Sequence, residues 1–261
     1  MSRVFRAPAV LAAGVLAGVL VALTGCATKG VPYQTPSSSA APAATAPTAG
    51  SPTTPASPVP AAAGQLTGSQ LQIVLLPQSF FPAGFSLSSA GAVTSGGSLT
   101  SSPAQYDLAT LSCANFVNNL GSPGFGETGM AAETYVSGEQ AYDQVIYQFS
   151  SPAEASAFVT GVRALAGRCA GFTATENGTL GTFSLTAASA PAVGGHPSLS
   201  LVQKGTISGS SVTLDTLLTA SGVDVFIGAG VGFGVGAPAS PAPADIVYNL
   251  MTRQQAAAVL G

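Results

Sequence analysis

Charged side chains are scarce in this sequence. Only 7% of its 261 residues are charged, seven of them Lys or Arg and ten Asp or Glu, against about 25% in an average soluble domain. If Arg3 and Arg6 leave with a signal peptide, as argued below, five of the seven basic side chains remain against ten acidic ones. That balance argues against nucleic acid as a partner, because binding phosphate requires clustered basic residues. Ser, Thr, Asn and Gln must provide most of the polar surface, which suits an extracellular and acidic setting.

Histidine and cysteine are scarce as well, with one His and three Cys in the chain. His196 lies in a Gly-Gly-His-Pro segment, which predicts an exposed loop, and the sequence has no Gly-x-Ser-x-Gly elbow to supply a nucleophile. Two cysteines and one distant histidine do not make a tetrahedral metal site. The sequence therefore predicts no catalytic triad, no metal centre and no cofactor.

The first cysteine, Cys26, ends a typical export signal. Residues 10–23 form an uncharged apolar run that follows two arginines and is too short to span about 30 Å of hydrocarbon. The next residues complete Leu23-Thr24-Gly25-Cys26, which agrees with the bacterial lipobox at every position. We predict that residues 1–25 are a lipoprotein signal peptide and that acyl chains such as palmitate on Cys26 anchor the protein at the extracellular face of the cell membrane. A plain secretory signal or an uncleaved anchor is the alternative.

The other two cysteines, Cys113 and Cys169, form an even pair in a protein predicted to be exported. Such compartments favour disulfides, so we predict a bond between them. Two buried free thiols are the alternative interpretation. Each cysteine lies on the apolar side of a predicted helix, so the bond would hold both helices on one side of a sheet.

The composition changes sharply along the mature chain. Residues 26–65 carry the lipidated cysteine and then consist mainly of Pro, Ala, Ser, Thr and Gly, which predicts a disordered, extended tether. The remaining residues, 66–261, have the length of one folded domain.

Hydrophobic periodicity predicts an α+β arrangement for that domain. A short helix at 70–76 with Ser69 as its N-cap is expected, with a buried strand as the alternative, and residues 88–104 are predicted to be a loop. Further helices are expected over 106–120, from Pro152 to 169 and over 243–251. Strands are expected over 130–136, 142–149, 172–176, 180–186, 198–203, 211–218 and 224–230.

Glycine alternates with larger residues over 228–236 without matching a dinucleotide or phosphate-binding motif. The alternation predicts a strand with one bare face, on which a helix or, less favoured, a ligand packs closely. Another feature is the aromatic group Phe80, Phe81 and Phe85, for which core packing is favoured over a pocket.

Three aspartates, Asp143, Asp215 and Asp224, fall within predicted strands. A hydrolytic pair of carboxylates would have to face each other across a cleft. Spacing alone does not indicate that arrangement, so catalysis is not predicted.

Several of these features resemble the PknH-type extracellular sensor domain, found on an actinobacterial receptor Ser/Thr kinase and on stand-alone lipoproteins. The resemblance rests on Cys113, on the strand and Ser-Pro-Ala-Glu helix start from Tyr142 to Ala155, and on Cys169 at the end of that helix. It implies a single disulfide-stapled α+β domain, with an antiparallel sheet of about five to seven strands, helices mainly on one face, and a ligand cleft. The kinase member has two disulfides whereas this chain can form one, and no ligand residues transfer.

These observations predict a monomeric, lipid-anchored sensor-like domain that binds an unknown small molecule or cell-envelope ligand without catalysis. The alternative is a structural or protein-interaction lipoprotein of the envelope, and the third hypothesis is a hydrolase acting on envelope material. A deep apolar cleft with a few polar groups would favour ligand binding, and a flat exposed apolar patch would favour a protein partner.

Overall fold

The computed structural model describes residues 65–88, 91–99, 104–176 and 178–260. The predicted signal peptide, Cys26 and nearly all of the tether lie outside these ranges. No helix within them is both long enough and apolar enough to cross a membrane.

The described chain contains four α-helices, a short 3-10 helix and nine strands. The helices are α1 (Gly68–Val74), α2 (Cys113–Asn119), α3 (Pro152–Ala166) and α4 (Pro243–Leu260), with the 3-10 helix at Gln78–Phe80. The strands are β1 (Ser86–Leu87), β2 (Val93–Thr94), β3 (Gly129–Ser137), β4 (Gln140–Gln148), β5 (Phe172–Glu176), β6 (Thr179–Val193), β7 (His196–Ile207), β8 (Ser210–Ser221) and β9 (Asp224–Phe233).

All nine strands join one antiparallel sheet. Its order is β1-β3-β4-β9-β8-β7-β6-β5, and β2 also pairs with β3. The sheet is larger than the predicted five to seven strands because the two-residue strands β1 and β2 join its edge. Strand β2 lies in a segment that was predicted to be a loop.

Helices pack on both faces of this sheet, so the expectation that they lie mainly on one face is wrong. Helices α2 and α3 cover one face, and α1 and α4 cover the other. The cause is visible in β4, whose Val145 and Tyr147 point to the first face while Tyr142 and Ile146 point to the second, all of them buried. A strand that is apolar on both sides needs cover on both sides.

The predicted disulfide is present between Cys113 and Cys169, with Cα atoms 5.7 Å apart. It joins the first residue of α2 to the segment just after α3, and both helices lie on the same face, as predicted. Cys169 is fully buried in that core.

Alternating glycines of β9 let α4 and the segment before it approach the sheet. A Cβ atom on Gly228 would lie 2.6 Å from the carbonyl oxygen of Pro243, and one on Gly232 would lie 2.3 Å from that of Gly236. These distances are too short for any side chain. The predicted strand with a bare face is confirmed, and what packs on that face is a helix together with its preceding loop.

The aromatic residues near the start of the domain belong to the core, as predicted. Phe81 stacks on Tyr135 with ring centroids 4.4 Å apart, and Phe85 lies 4.8 Å from Tyr142. Phe80 packs edge-on against Phe81 at the margin of this cluster.

Helix α1 confirms the predicted short helix, although its cap differs from the prediction. The Thr67 hydroxyl accepts the backbone N–H of Gln70 at 3.2 Å, and the Gln70 side chain accepts the Thr67 N–H at 2.8 Å. This reciprocal pair is a capping box. Thr67, not Ser69, is therefore the N-cap of the helix.

Helix α2 is much shorter than the predicted helix over 106–120. The Asp107 side chain accepts the backbone N–H of Ala109 at 2.9 Å, and its carbonyl oxygen accepts that of Leu111 at 2.8 Å, which closes a separate turn. Ser112 then caps a new helix by accepting the N–H of Asn115 at 3.2 Å. Short polar side chains that bond to nearby backbone groups favour such breaks.

Strands β6 and β7 are longer than predicted because they meet in a two-residue turn. Gly194 and Gly195 have positive φ angles of 58° and 83°, as this kind of hairpin requires. His196 therefore begins a strand and is half-buried, so the prediction of an exposed loop histidine is wrong.

Helix α4 also continues beyond its predicted end, to Leu260.

Candidate functional site

The candidate site is the α2 trough, which we define as the space on one face of the sheet that is bounded by the C-terminal half of α2, by Gly121 after it and by the segment of Gly91 and Val93. It holds two small depressions. The glutamine depression is lined by Phe116, Val117, Leu120, Leu185, Leu201, Gln203, Leu214 and Thr216. The aspartate depression is lined by Gly91, Val93, Gly121, Ala132, Glu133, Thr134, Asp143, Gln144 and Val145.

The two depressions are neighbours along one row of the sheet. Thr216 of β8 and Asp143 of β4 both lie opposite Ala229 of the strand between them. Strand spacing of about 4.8 Å places the two side chains roughly 10 Å apart. Each depression has room for about one water molecule, so neither is the deep cleft that the family resemblance implies.

The glutamine depression presents polar atoms in an otherwise apolar pocket. Gln203 is 3% exposed, and its Oε1 has no hydrogen-bond partner among the described residues. Thr216, buried on the next strand, lines the same depression. A buried polar atom without a partner costs about 1–3 kcal/mol. The amide is thus positioned to bond a group that enters the trough.

The aspartate depression is built around a buried carboxylate. Asp143 is 2% exposed, and Thr134 donates its hydroxyl hydrogen bond to Oδ1 at 2.6 Å. Burial raises the pKa of Asp143 to about 7, although the bond from Thr134 opposes that rise. Gly91 lies directly against Thr134, where an added Cβ would be 2.6 Å from the Cβ of the threonine. Only glycine lets this wall of the depression approach so closely.

Both ends of α2 are fixed, which fixes the roof of the trough. The disulfide holds its first residue, and the Tyr147 hydroxyl holds the other end by accepting the N–H of Gly121 at 2.8 Å and donating to the Ser122 carbonyl at 3.0 Å. Burial raises the pKa of Tyr147, so its phenol stays protonated and able to donate.

The loop after α2 is closed by a buried carboxylate. Glu127 is fully buried and accepts the backbone N–H groups of Gly124 at 3.0 Å and Phe125 at 2.8 Å. Gly124 has a positive φ of 131°, which favours glycine at this position. This carboxylate shapes the end of the roof and does not reach the trough lining.

A third buried carboxylate, Asp224, serves the opposite face of the sheet. It accepts hydrogen bonds from the side-chain amides of Gln148 at 3.0 Å and Gln254 at 3.4 Å, and burial raises its pKa to about 6. The Gln148 Oε1 in turn accepts the N–H of Leu66 at 2.8 Å. Asp224 thus joins α4 and the start of the domain to the sheet.

The sequence candidates for catalysis are not brought together. Asp143 lies on the face of the sheet that α2 and α3 cover, whereas Asp215 and Asp224 lie on the α4 face. His196 lies 3.1 Å from the Ser221 hydroxyl, and no carboxylate of the described residues bonds to that pair. The described residues also contain no cluster of three or more His, Cys, Asp or Glu that would hold a metal ion.

Of the polar residues of the trough, sequence reasoning singled out Asp143 alone, although Gln203 also left a signal. Leu199, Leu201 and Gln203 occur at a spacing of two, so the pattern that buries the leucines also buries the glutamine. Thr134 carried no comparable signal, because its role depends on its pairing with Asp143 across two strands.

Of the comparisons with known proteins, the one with solved structures bears on the fold. No protein family matches the sequence, and no curated protein is significantly similar to it. Among solved structures, the fold is similar to the crystal structure of the extracellular domain of PknH from Mycobacterium tuberculosis, with a TM-score of 0.51 and 14% sequence identity. The similarity covers 74% of this chain and 99% of that chain. This protein therefore has a fold similar to that of an extracellular domain of PknH.

Proposed function

We propose that this protein is a lipid-anchored, extracytoplasmic sensor-like domain that binds a small ligand in the α2 trough and does not catalyse a reaction. The observation that carries the proposal is the Gln203 amide, which is buried among leucines with its oxygen unpaired. Buried polar groups in native proteins are nearly always paired. A ligand that donates a hydrogen bond to Gln203 supplies the missing partner.

The trough also has the composition of a small-molecule site. Such sites are mostly apolar and contain a few polar groups that orient the ligand. Here the apolar lining comes from α2 and from β6, β7 and β8, and the polar groups are Gln203, Thr216 and Asp143. Because each depression is small and both ends of α2 are fixed, the groups that bind there are small as well.

Native mass spectrometry of the full-length protein, incubated with an extract of bacterial envelopes that contains both small molecules and proteins, tests the trough. We expect the wild-type protein to carry a ligand mass that Gln203→Leu reduces several-fold, because leucine fills similar space but accepts no hydrogen bond. Gln140→Leu is the matched control, since Gln140 lies on β4 outside the trough and bonds to the Gly236 carbonyl. If no small mass binds and a protein partner is retained instead, the protein-interaction alternative replaces this proposal.

Lipid anchoring is the second part of the proposal and is supported by the lipobox around Cys26. We expect Cys26→Ala to abolish incorporation of labelled palmitate and to prevent acylation-dependent attachment of the domain, because acylation at this position requires the thiol. Ser37→Ala, in the tether, is the control and should leave labelling and membrane fractionation unchanged. Retention of the label by Cys26→Ala would contradict the proposed anchor.

A further inference from the structure

We infer that the aspartate depression is a subsite for a primary ammonium group, carried by the ligand that the α2 trough binds. The inference rests on the proposed function and names the chemistry of one end of that ligand. Three properties of the depression support it: a buried acid without a basic partner, a space of ammonium size, and acceptor atoms positioned around that space.

The Asp143 carboxylate has no basic partner among the described residues. Three of the four described basic side chains bond to uncharged groups: Arg163 to the Ser189 hydroxyl, Arg168 to the Leu108 carbonyl and Arg253 to carbonyls at the end of α1. The fourth, Lys204, lies within β7 opposite Thr213, and its position in the strand places it on the opposite face of the sheet. Buried carboxylates in proteins are usually paired or bound to a cation, so a cationic ligand group would complete this site.

The size of the depression selects among cationic groups. It has room for about one water molecule, and a primary ammonium group is of similar size. A guanidinium or trimethylammonium group is several atoms larger and does not fit without displacing Gly91 or Gly121. The close contact between Gly91 and Thr134 shows that this wall is already tightly packed.

The acceptor atoms suit an ammonium group as well. Asp143 accepts one bond from Thr134 at Oδ1, which leaves lone pairs on both carboxylate oxygens for further donors. The Thr134 oxygen donates that bond and retains its own lone pairs as acceptors. An ammonium group has three N–H donors, and its charge offsets the cost of keeping the carboxylate ionised in a buried position.

The subsite is tested by NMR titration of the ¹⁵N-labelled full-length protein in detergent micelles. The probe is butylammonium chloride at pH 8, with tetramethylammonium chloride and sodium chloride at equal ionic strength as comparison salts. We expect butylammonium to shift the backbone amide signals of Gly91 and Gly121, which line the depression, and the two comparison salts to leave them in place. Ammonium chloride producing the same shifts would also support the subsite and would show that the alkyl chain adds nothing.

Two isosteric variants complete the test. Asp143→Asn should weaken butylammonium binding at least tenfold, because it removes the charge and keeps an oxygen that can accept the Thr134 bond. Asp215→Asn, on a neighbouring part of the sheet but facing the other side, should bind as the wild type does. The inference would be overturned if Asp143→Asn bound butylammonium as well as the wild type does. It would also be overturned if tetramethylammonium or sodium caused the same shifts as butylammonium, or if no amine caused any shift. In each of those cases the proposed function would still be supported if the Gln203→Leu variant carried less envelope ligand than the wild type in the mass spectrometry experiment.

Discussion

We expect the folded domain to be more stable at pH 5 than at pH 8, by about 4 kcal/mol in the free energy of unfolding. The main cause is Asp143, whose burial raises its pKa from an ordinary value of about 4 to about 7. The folded protein holds this proton more tightly than the unfolded chain does, so protonation favours folding. The contribution is therefore complete at low pH and is lost as the pH rises towards 7.

Asp224 acts in the same direction over a narrower range. Burial raises its pKa to about 6, so its contribution is lost between roughly pH 4 and pH 6. Each pH unit over which one such proton is released on unfolding changes the free energy by about 1.4 kcal/mol. Between pH 5 and pH 8, unfolding releases the proton of Asp143 over about two pH units and that of Asp224 over about one. Three units in all give the expected difference of about 4 kcal/mol. Glu133 adds to the trend, because burial raises its pKa as well.

Urea unfolding of wild type and Asp143→Asn at pH 5, 6, 7 and 8 measures this dependence. We expect the variant to match the wild type within about 1 kcal/mol at pH 5 and to exceed it by about 2–3 kcal/mol at pH 8, because asparagine carries no charge to desolvate. Asp215→Asn should keep the slope of the wild type. A domain that loses stability sharply on acidification from pH 8 to pH 5, or equal slopes for wild type and Asp143→Asn, would contradict this account.

The pH trend also bears on the scarcity of charge in the sequence. A polar surface of Ser, Thr, Asn and Gln changes little on acidification, so few exposed ion pairs are lost when the pH falls. The buried acids then favour the folded state under the same conditions. Together these properties would keep the domain folded in an acidic setting.

The predictable parts of the fold are those that depend on local patterns. Ser151 accepts the Glu154 N–H at 3.3 Å and Pro152 occupies the first turn, so α3 begins where its cap and proline predict. Strands β4, β8 and β9 lie close to their predicted positions. Each is a segment rich in hydrophobic residues that is joined to a neighbouring strand by a short turn, and both signals are local. The disulfide was predictable as well, because only two cysteines remained for it.

The parts that escaped prediction depend on contacts distant in sequence. β2 contains two residues and exists only because β3 offers it a partner, with Val93 opposite Ala132. The second layer of helices follows from the fact that β4 is buried on both faces, and an apolar run does not reveal by itself what will cover it. The aspartate depression likewise depends on strand register, which brings Thr134 opposite Asp143.

Removal of the disulfide is expected to lower the stability of the domain by about 4 kcal/mol. The bond links positions 56 residues apart, and in the chain-entropy model a loop of that length restricts the unfolded chain by about this amount. For a domain of this size the loss corresponds to a fall of on the order of 10 °C in Tm. Cys113→Ser is the suitable variant, because the Cys169 sulfur that remains lies 3.2 Å from the Leu165 carbonyl, where its thiol has an acceptor.

The same variant should loosen the α2 trough beyond the loss of global stability. Helix α2 has seven residues, and isolated helices of that length are unstable in water, so the attachments at its two ends hold it in place. We expect hydrogen exchange at the amides of Phe116 and Val117 to accelerate more in Cys113→Ser than exchange at Ile227 in β9. Reducing the wild-type protein should reproduce both effects, and reducing Cys113→Ser should add nothing. An unchanged unfolding midpoint, or uniform acceleration at all three amides, would show that the bond does not hold the roof of the trough.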